Sequence, residues 1–235
     1  MIQQPAKWRW QHHPELASTQ DAAIQAAHAG DPGRLAILAD RQTAGRGSRG
    51  RPWIAPAGNL NLSVLLRPNA ATPDPGRWAL MAGIALHQVL EPHAPGLLLK
   101  WPNDLILGGG KLAGILIDSQ IGQGPQPDWV VIGFGANLAT APTIEGRQTT
   151  QLPPPAPKPG AIAEAILNRL DPLAEASTAY VCQAWLARAH PIGTLLDVRT
   201  PQTRVTGAFA GLAATGELLL EGHAPIGSAE VALWQ

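Results

Sequence analysis

Gln42-Thr43-Ala44-Gly45-Arg46-Gly47-Ser48-Arg49-Gly50-Arg51-Pro52-Trp53 sets three glycines among three arginines and closes on a tryptophan. Glycine lets the backbone take positive φ and brings N–H groups close to a ligand, while each guanidinium offers forked donors suited to phosphate or carboxylate. Together they make an anion cradle, with the Gln42 amide at its entrance and the Trp53 ring at its exit. Glycine-arginine tracts also occur in disordered RNA-binding tails. The flanks argue against a tail here, because Leu35-Ala36-Ile37-Leu38-Ala39 and Leu60-Asn61-Leu62-Ser63-Val64-Leu65-Leu66 read as core strands. The tract is a loop held in a sheet.

At 235 residues the chain suits one large domain, or one plus a small appendage. Charged residues make up 14%, against about 25% in ordinary globular proteins, so the surface should be lightly charged. A formal net charge of zero gives no overall field favouring nucleic acid or an anionic membrane, and neither DNA nor membrane is an expected partner. Cys182 is the single cysteine, which excludes an intrachain disulfide and a cysteine-rich metal site and fits a reducing compartment. The first ten residues contain no apolar signal, and no window sustains about 18 apolar residues. A cytoplasmic location is therefore expected.

Upstream of the loop, Ser18 and Asp21 have capping-box spacing ahead of Ala22, Ala23, Ile24, Ala26 and Ala27, which predicts a helix. Capping accounts for Ser18, and its hydroxyl and that of Thr19 are also candidate ligand contacts. Downstream, the alternation of Leu60, Leu62, Val64 and Leu66 predicts a strand with one buried face. Asp74-Pro75 then starts an amphipathic helix through Trp78, Met81, Ala82, Ala85, Leu86 and Val89. His87 and His93 have no partner pattern and receive no role.

Two strand-like runs flank the polar elbow Lys100-Trp101-Pro102-Asn103-Asp104. Pro102 is explained as a turn residue, but Lys100 emerges from an apolar run and needs a partner or solvent. Gly108-Gly109-Gly110-Lys111 is not a P-loop, because Leu105 and Leu112 stand where that motif needs glycine and Ser or Thr. It reads as a glycine hairpin opening onto the strand Lys111–Asp118. Trp129–Leu138 reads as a strand ending in a Gly133-x-Gly135-x-Asn137 turn, a weak signal of close ligand approach. A stiff proline-rich connector spans 152–160. It leads to helical patterns with Ile162, Ala165, Ile166 and Arg169 on one face, then Tyr180 and Trp185. From His190 onward, short strands punctuated by glycines predict a small barrel leaning on the main domain. The expected division is 1–189 and 190–235.

In their order along the chain, these stretches resemble the biotin protein ligases over roughly Ser18 to Trp234. Ser18-Thr19 is similar to the family's Ser-Thr-Asn element, Gln42–Trp53 to its ligand loop, and Lys100–Asp104 to its Lys-Trp-Pro-Asn-Asp signature. Lys111–Leu116 is similar to its catalytic-lysine strand, and Gly133–Leu138 to its nucleotide-side turn. The resemblance implies an α/β (α+β) fold, a mixed sheet with helices like that of class II aminoacyl-tRNA synthetases, followed by an SH3-like barrel. It implies an enzyme that uses ATP and Mg²⁺ to convert biotin to biotinyl-5′-AMP, then biotinylates one lysine of a biotin carboxyl carrier domain. By the same resemblance, Lys111 and Arg46 are catalytic, and Ser18, Thr19, Gln42, Gly45, Arg46, Lys111 and Gly114 hold biotin. Arg49, Arg51, Trp53, Asn103, Asp104 and Asn137 hold ATP or the adenylate, with Mg²⁺ near Asn103 and Asp104. A homodimer is compatible with the family.

Two positions depart from that pattern. Gln20 stands where the family usually has asparagine, and Ser48 where many relatives carry an arginine that orders the loop. Loss of that guanidinium should weaken retention of the adenylate unless Arg49 or Arg51 substitutes. The segment before Ser18 is too short for a winged helix-turn-helix, so a ligase without a repressor role is expected. Three rivals remain: a lipoate or octanoate ligase of the same fold, a non-catalytic biotin- or nucleotide-binding protein, and an RNA-binding protein that uses the arginine loop and would bind with a marked salt dependence. Intact Lys111 and Arg46 argue against the second.

Overall fold

The computed structural model describes residues 7–68, 75–122, 127–200, 203–227 and 229–233. Its main body is a seven-stranded sheet in the order β1-β2-β3-β7-β6-β5-β4. The strands are β1 (Arg9–Leu16), β2 (Leu35–Gln42), β3 (Leu60–Leu66), β4 (Leu98–Lys100), β5 (Asp104–Leu107), β6 (Gly110–Ile121) and β7 (Pro127–Ala136). β1 runs parallel to β2 and every other neighbouring pair is antiparallel, which makes the sheet mixed. Among the described residues four α-helices accompany it: α1 (Thr19–His28), α2 (Pro75–Leu90), α3 (Pro159–Glu175) and α4 (Thr178–Leu186). Among the described residues, no helix is long and apolar enough to cross a membrane.

Alternation along the central strands divides the core in two. Leu35, Ile37, Leu65, Val131 and Trp129 face α1 and pack with Ala23 and Ala27. Ala36, Leu38, Leu62, Val64, Ile132 and Phe134 face the other way, into a larger cluster with α2, α3 and α4. β3 is thus buried throughout its length, which corrects the expectation of a single buried face. Its polar positions, Asn61 and Ser63, are each 1% exposed, and a buried polar group must find a partner. β1 carries too little apolar alternation to announce itself, because neither of its faces is fully buried at any position.

Other local expectations meet mixed outcomes. Ser18 caps α1, its hydroxyl accepting from Asp21 N at 3.2 Å. The expected cap Asp74 lies outside the described residues. β6 begins at Gly110, one residue before Lys111, after Gly108 and Gly109 turn at φ 56 and 80. Gly133 and Gly135 lie inside β7, not in a turn after it. The inner face of α3 is Ile162, Ala163, Ile166, Leu167, Leu170 and Leu173, while Arg169 is exposed.

β8 (Leu195–Arg199), β9 (Arg204–Leu212), β10 (Leu218–Leu220) and β11 (Glu230–Leu233) form a second sheet in the order β10-β9-β8-β11. Among the described residues this sheet is open, with β10 and β11 at opposite edges, so the expected closed barrel is not seen. Leu196, Val198, Phe209, Leu218, Leu220 and Val231 join the same apolar cluster as α2 and α3. Trp101 Nε1 donates to Gly216 O at 3.1 Å across the junction.

Asp197 on β8 accepts from Arg204 at 2.8 Å and from Arg199 at 3.2 Å. The Arg204 hydrogen bond, against a smaller burial effect and with help from Arg199, holds its carboxyl below the usual value. A depressed folded pKa contributes stability above the unfolded value of about 3.9, and the contribution is lost as pH falls through the folded value. Asp197→Asn should therefore lower the melting temperature at pH 7. Thermal unfolding across pH should show the gap from wild type closing below about pH 4.

Candidate active site

The α1-facing side of the sheet changes character along its strands. Beneath α1 lie Leu65, Val131 and Trp129. Further along, β3 presents Ser63 and Asn61 to the same side, and β7 presents Gly133 and Gly135. Strand register extends this into one row: Asn61 opposite Gly135, Gly135 opposite Gly114, Gly114 opposite Asp104, and Asp104 opposite Lys100. Directly opposed residues share a face. The row is therefore a floor with no side chains at its centre and charged or amide groups at its ends. A β-carbon at Gly133 would strike Gln20 Oε1, and one at Gly135 would strike the Trp53 indole.

The walls rise from separate segments. Thr19 and Gln20 come from the first turn of α1, Gln42 from the end of β2, and Arg46, Gly47, Ser48 and Trp53 from the loop. Asn103 comes from the elbow, and Lys111 and Gly114 from β6; all of these line one cleft. Gln42 Oε1 accepts from Thr19 N at 2.7 Å and Thr19 Oγ1 at 3.1 Å, while its Nε2 donates to Asn61 Oδ1 at 3.0 Å. Ser63 Oγ donates to Gln20 Oε1 at 3.0 Å, and Gln20 Nε2 donates to Asp118 Oδ2 at 2.9 Å. The loop doubles back on itself, with Gly47 N donating to Arg51 O at 2.7 Å and Trp53 N to Gly45 O at 2.8 Å. Gly45 has no room for a side chain beside the Trp53 carbonyl.

Two cations occupy this cleft. Arg46 donates to Asp21 Oδ1 at 2.7 Å and lies 3.6 Å from Asp118 Oδ2. Lys111 Nζ is 2.5 Å from Asp104 Oδ1 and 5.9 Å from the centre of the Trp53 ring. Lys100 Nζ takes the other Asp104 oxygen at 3.3 Å and donates to Val231 O at 2.8 Å, which answers its need for partners. Burial alone would raise the Asp104 carboxyl, but Lys111 and then Lys100 outweigh burial and hold it below its ordinary value.

Of the residues expected at the site, Thr19, Gln42, Arg46, Trp53, Asn103, Lys111 and Gly114 line this one cleft. Ser18 caps the helix just behind Thr19, and Asp104 stands behind Lys111. Asn137 is 2% exposed and donates to Thr150 O at 3.0 Å and Lys111 O at 3.4 Å, so it fixes the backbone that carries Lys111. Arg49 and Arg51 point elsewhere, to Glu230 of β11 at 3.1 and 2.6 Å. Arg51 also reaches Ser48, with Nη2 3.2 Å from Oγ. The Mg²⁺ expected near Asn103 and Asp104 finds a poor donor set. Both Asp104 oxygens face ammonium groups, and the Asn103 amide nitrogen donates to Ile115 O at 2.5 Å. Among the described residues, no three His, Cys, Asp or Glu side chains converge. A metal held by these side chains does not fit.

Sequence reasoning missed Ser63, Asn61, Asp118 and Glu230. Asn61 and Ser63 did carry a signal, as the polar members of a strand whose neighbours are all aliphatic. Asp118 and Glu230 carried none, because only the tertiary fold brings them to Gln20 and to the arginine loop.

The profile of the biotin/lipoate A/B protein ligase family matches residues 16–137. A biotin–[acetyl-CoA-carboxylase] ligase of Paracoccus denitrificans is 37% identical over 223 residues, covering 88% of this chain and 92% of that protein. The Aquifex aeolicus biotin protein ligase, solved in complex with biotin and ATP, superposes with a TM-score of 0.81 at 24% identity, covering 97% of this chain and 99% of that one. The Leishmania major biotin protein ligase, solved with biotinyl-5-AMP, gives a TM-score of 0.64 at 26% identity over 98% and 99% of the two chains.

Proposed function

This chain belongs to the biotin/lipoate A/B protein ligase family, and from that premise we propose that its cleft joins biotin to ATP and passes biotin to a lysine of a carboxylase carrier domain. A carboxylate oxygen of biotin attacks the α-phosphorus of ATP, the bond to the β-phosphate bridge breaks, and pyrophosphate leaves. The amine of the acceptor lysine then attacks the acyl carbon, AMP leaves, and the nitrogen gives up a proton. The first step forces two anions together, so positive charge must offset both their repulsion and the charge developing at phosphorus. The observation that carries the reading is that Arg46 and Lys111, from separate segments, line one cleft with a glycine floor.

The assignments divide along the cleft. Thr19, Gln20, Gln42 and Ser63 offer a fixed set of donors and acceptors for the polar ring of biotin, with Ser18 and Gly45 fixing the backbone behind them. Gly114 leaves Lys111 free to reach the carboxylate. Trp53, lying over Gly135, is the surface for adenine, and Asn103 faces the phosphates. Arg51, bound to both Ser48 and Glu230, stands in for the guanidinium missing at position 48. The segment 190–235 then acts as a second unit, an open relative of the SH3-like barrel, whose Glu230 gathers the loop arginines.

Gly135→Ala should displace the Trp53 ring and raise KM for ATP about tenfold, the cost of one lost base stack, with a smaller change in KM for biotin. Steady-state kinetics on each substrate would check this. The function itself is tested by ATP-dependent incorporation of labelled biotin into a biotin carboxyl carrier domain. Incorporation is expected with biotin and ATP together, and incorporation of lipoate or octanoate in its place would overturn the reading.

A further inference from the structure

The floor row does not stop at the cleft. It continues past Gly114 to Asp104 and then to Lys100, the last residue of β4. Asp104 is thereby shared, one carboxylate oxygen facing Lys111 at 2.5 Å and the other facing Lys100 at 3.3 Å. Lys100 is held at both ends of its reach. Its backbone pairs with Asp104 in the β4–β5 hairpin, and its ammonium donates to Val231 O of the second sheet. Its side chain is 18% exposed and that of Asp104 is 16% exposed, so water does little to compensate either charge. The neighbouring His190 does not add a competing cation near neutral pH, since burial and then the Lys100 charge bring it down to about 4.

This arrangement bears on what Lys111 must do. In the free protein its ammonium is paired with Asp104, yet the reaction needs that charge on an incoming carboxylate and phosphate. A carboxylate with only one cationic partner resists losing it, because a poorly solvated charge left unpaired is costly. A second ammonium already on Asp104 removes most of that resistance. We infer that Lys100 is a positioning residue for adenylate formation, compensating Asp104 so that Lys111 can turn to the substrate, and that the Val231 carbonyl of the second sheet holds it in place. The inference rests on the biotin ligase reading given above.

The test uses the full chain and biotin-dependent exchange of labelled pyrophosphate into ATP, with unfolding curves for each variant. The wild type must first support exchange; if it does not, the ligase reading fails before Lys100 is reached. Given exchange, Lys100→Met should lower kcat on the order of 10- to 100-fold with a smaller change in KM for ATP. Lys100→Arg, which can keep both contacts, should recover most of that loss, and it decides the matter if the methionine variant does not fold. Because Lys100 acts through Asp104, the methionine substitution should cost little further in an Asp104→Asn background. A wild-type kcat in Lys100→Met, no recovery in a folded Lys100→Arg, or full additivity with Asp104→Asn would each overturn the proposal.

Discussion

Replacing Lys111 with alanine is expected to lower the rate of biotinyl-adenylate formation by about 10³-fold, the scale on which a preorganised charge-stabilising group acts in a transition state. The ammonium stands in the cleft beside Asp104, and among the described residues only Arg46 lines the same cleft with a second full positive charge. The fold should survive the change. Lys111 N donates to Gln148 O at 2.9 Å and its carbonyl accepts from Thr150 N at 3.1 Å, so the backbone of β6 is fixed without the side chain. The side chain is 32% exposed, and Asp104 keeps Lys100 as a partner. Single-turnover measurement of adenylate, alongside a thermal unfolding curve, separates loss of chemistry from loss of structure. A rate within tenfold of wild type would remove Lys111 from the reaction.

Arg46→Ala should reduce kcat/KM for biotin by about 10²- to 10³-fold, for two reasons that add. The variant loses a forked donor for the carboxylate or the α-phosphate. It also leaves Asp21 and Asp118, which the guanidinium now neighbours at 2.7 and 3.6 Å, without that cation, and their negative charge then repels an anionic substrate. The second contribution is electrostatic and partly exposed to solvent, so it should shrink as salt is raised. Initial rates at low and high ionic strength distinguish the two. A salt-independent defect would assign the whole loss to the missing contact.

The sequence made the centre of the site legible because its residues are chemically unusual where they stand. An arginine between glycines and a lysine at the end of an apolar strand each contradict ordinary core composition; Arg46 lines the cleft, and Lys100 backs it through Asp104. Gly133 and Gly135 were noticed but misplaced in a turn. A strand interior normally excludes glycine, and the reason to accept it there, room for Gln20 and Trp53 over the floor, exists only once the sheet is assembled. β3 was read as one-sided because Asn61 and Ser63 look like solvent-facing positions. In the fold they are buried and bonded within the cleft network. Arg49 and Arg51 were expected on ATP or the adenylate, and what draws them away is Glu230, more than a hundred residues away in sequence. The open second sheet shares its apolar cluster with the helices of the main sheet, so short strands and glycines alone did not determine whether it would close.

On the proposed function, Arg46 and Lys111 act together on a biotin carboxylate and an ATP phosphate in one cleft. The most direct test is exchange of labelled pyrophosphate into ATP by the full chain without any acceptor protein. Exchange is expected to require biotin and to fall about 10²-fold or more with either Arg46→Ala or Lys111→Ala. Exchange that proceeds with lipoate or octanoate but not biotin, or that persists undiminished in both variants, would contradict that function.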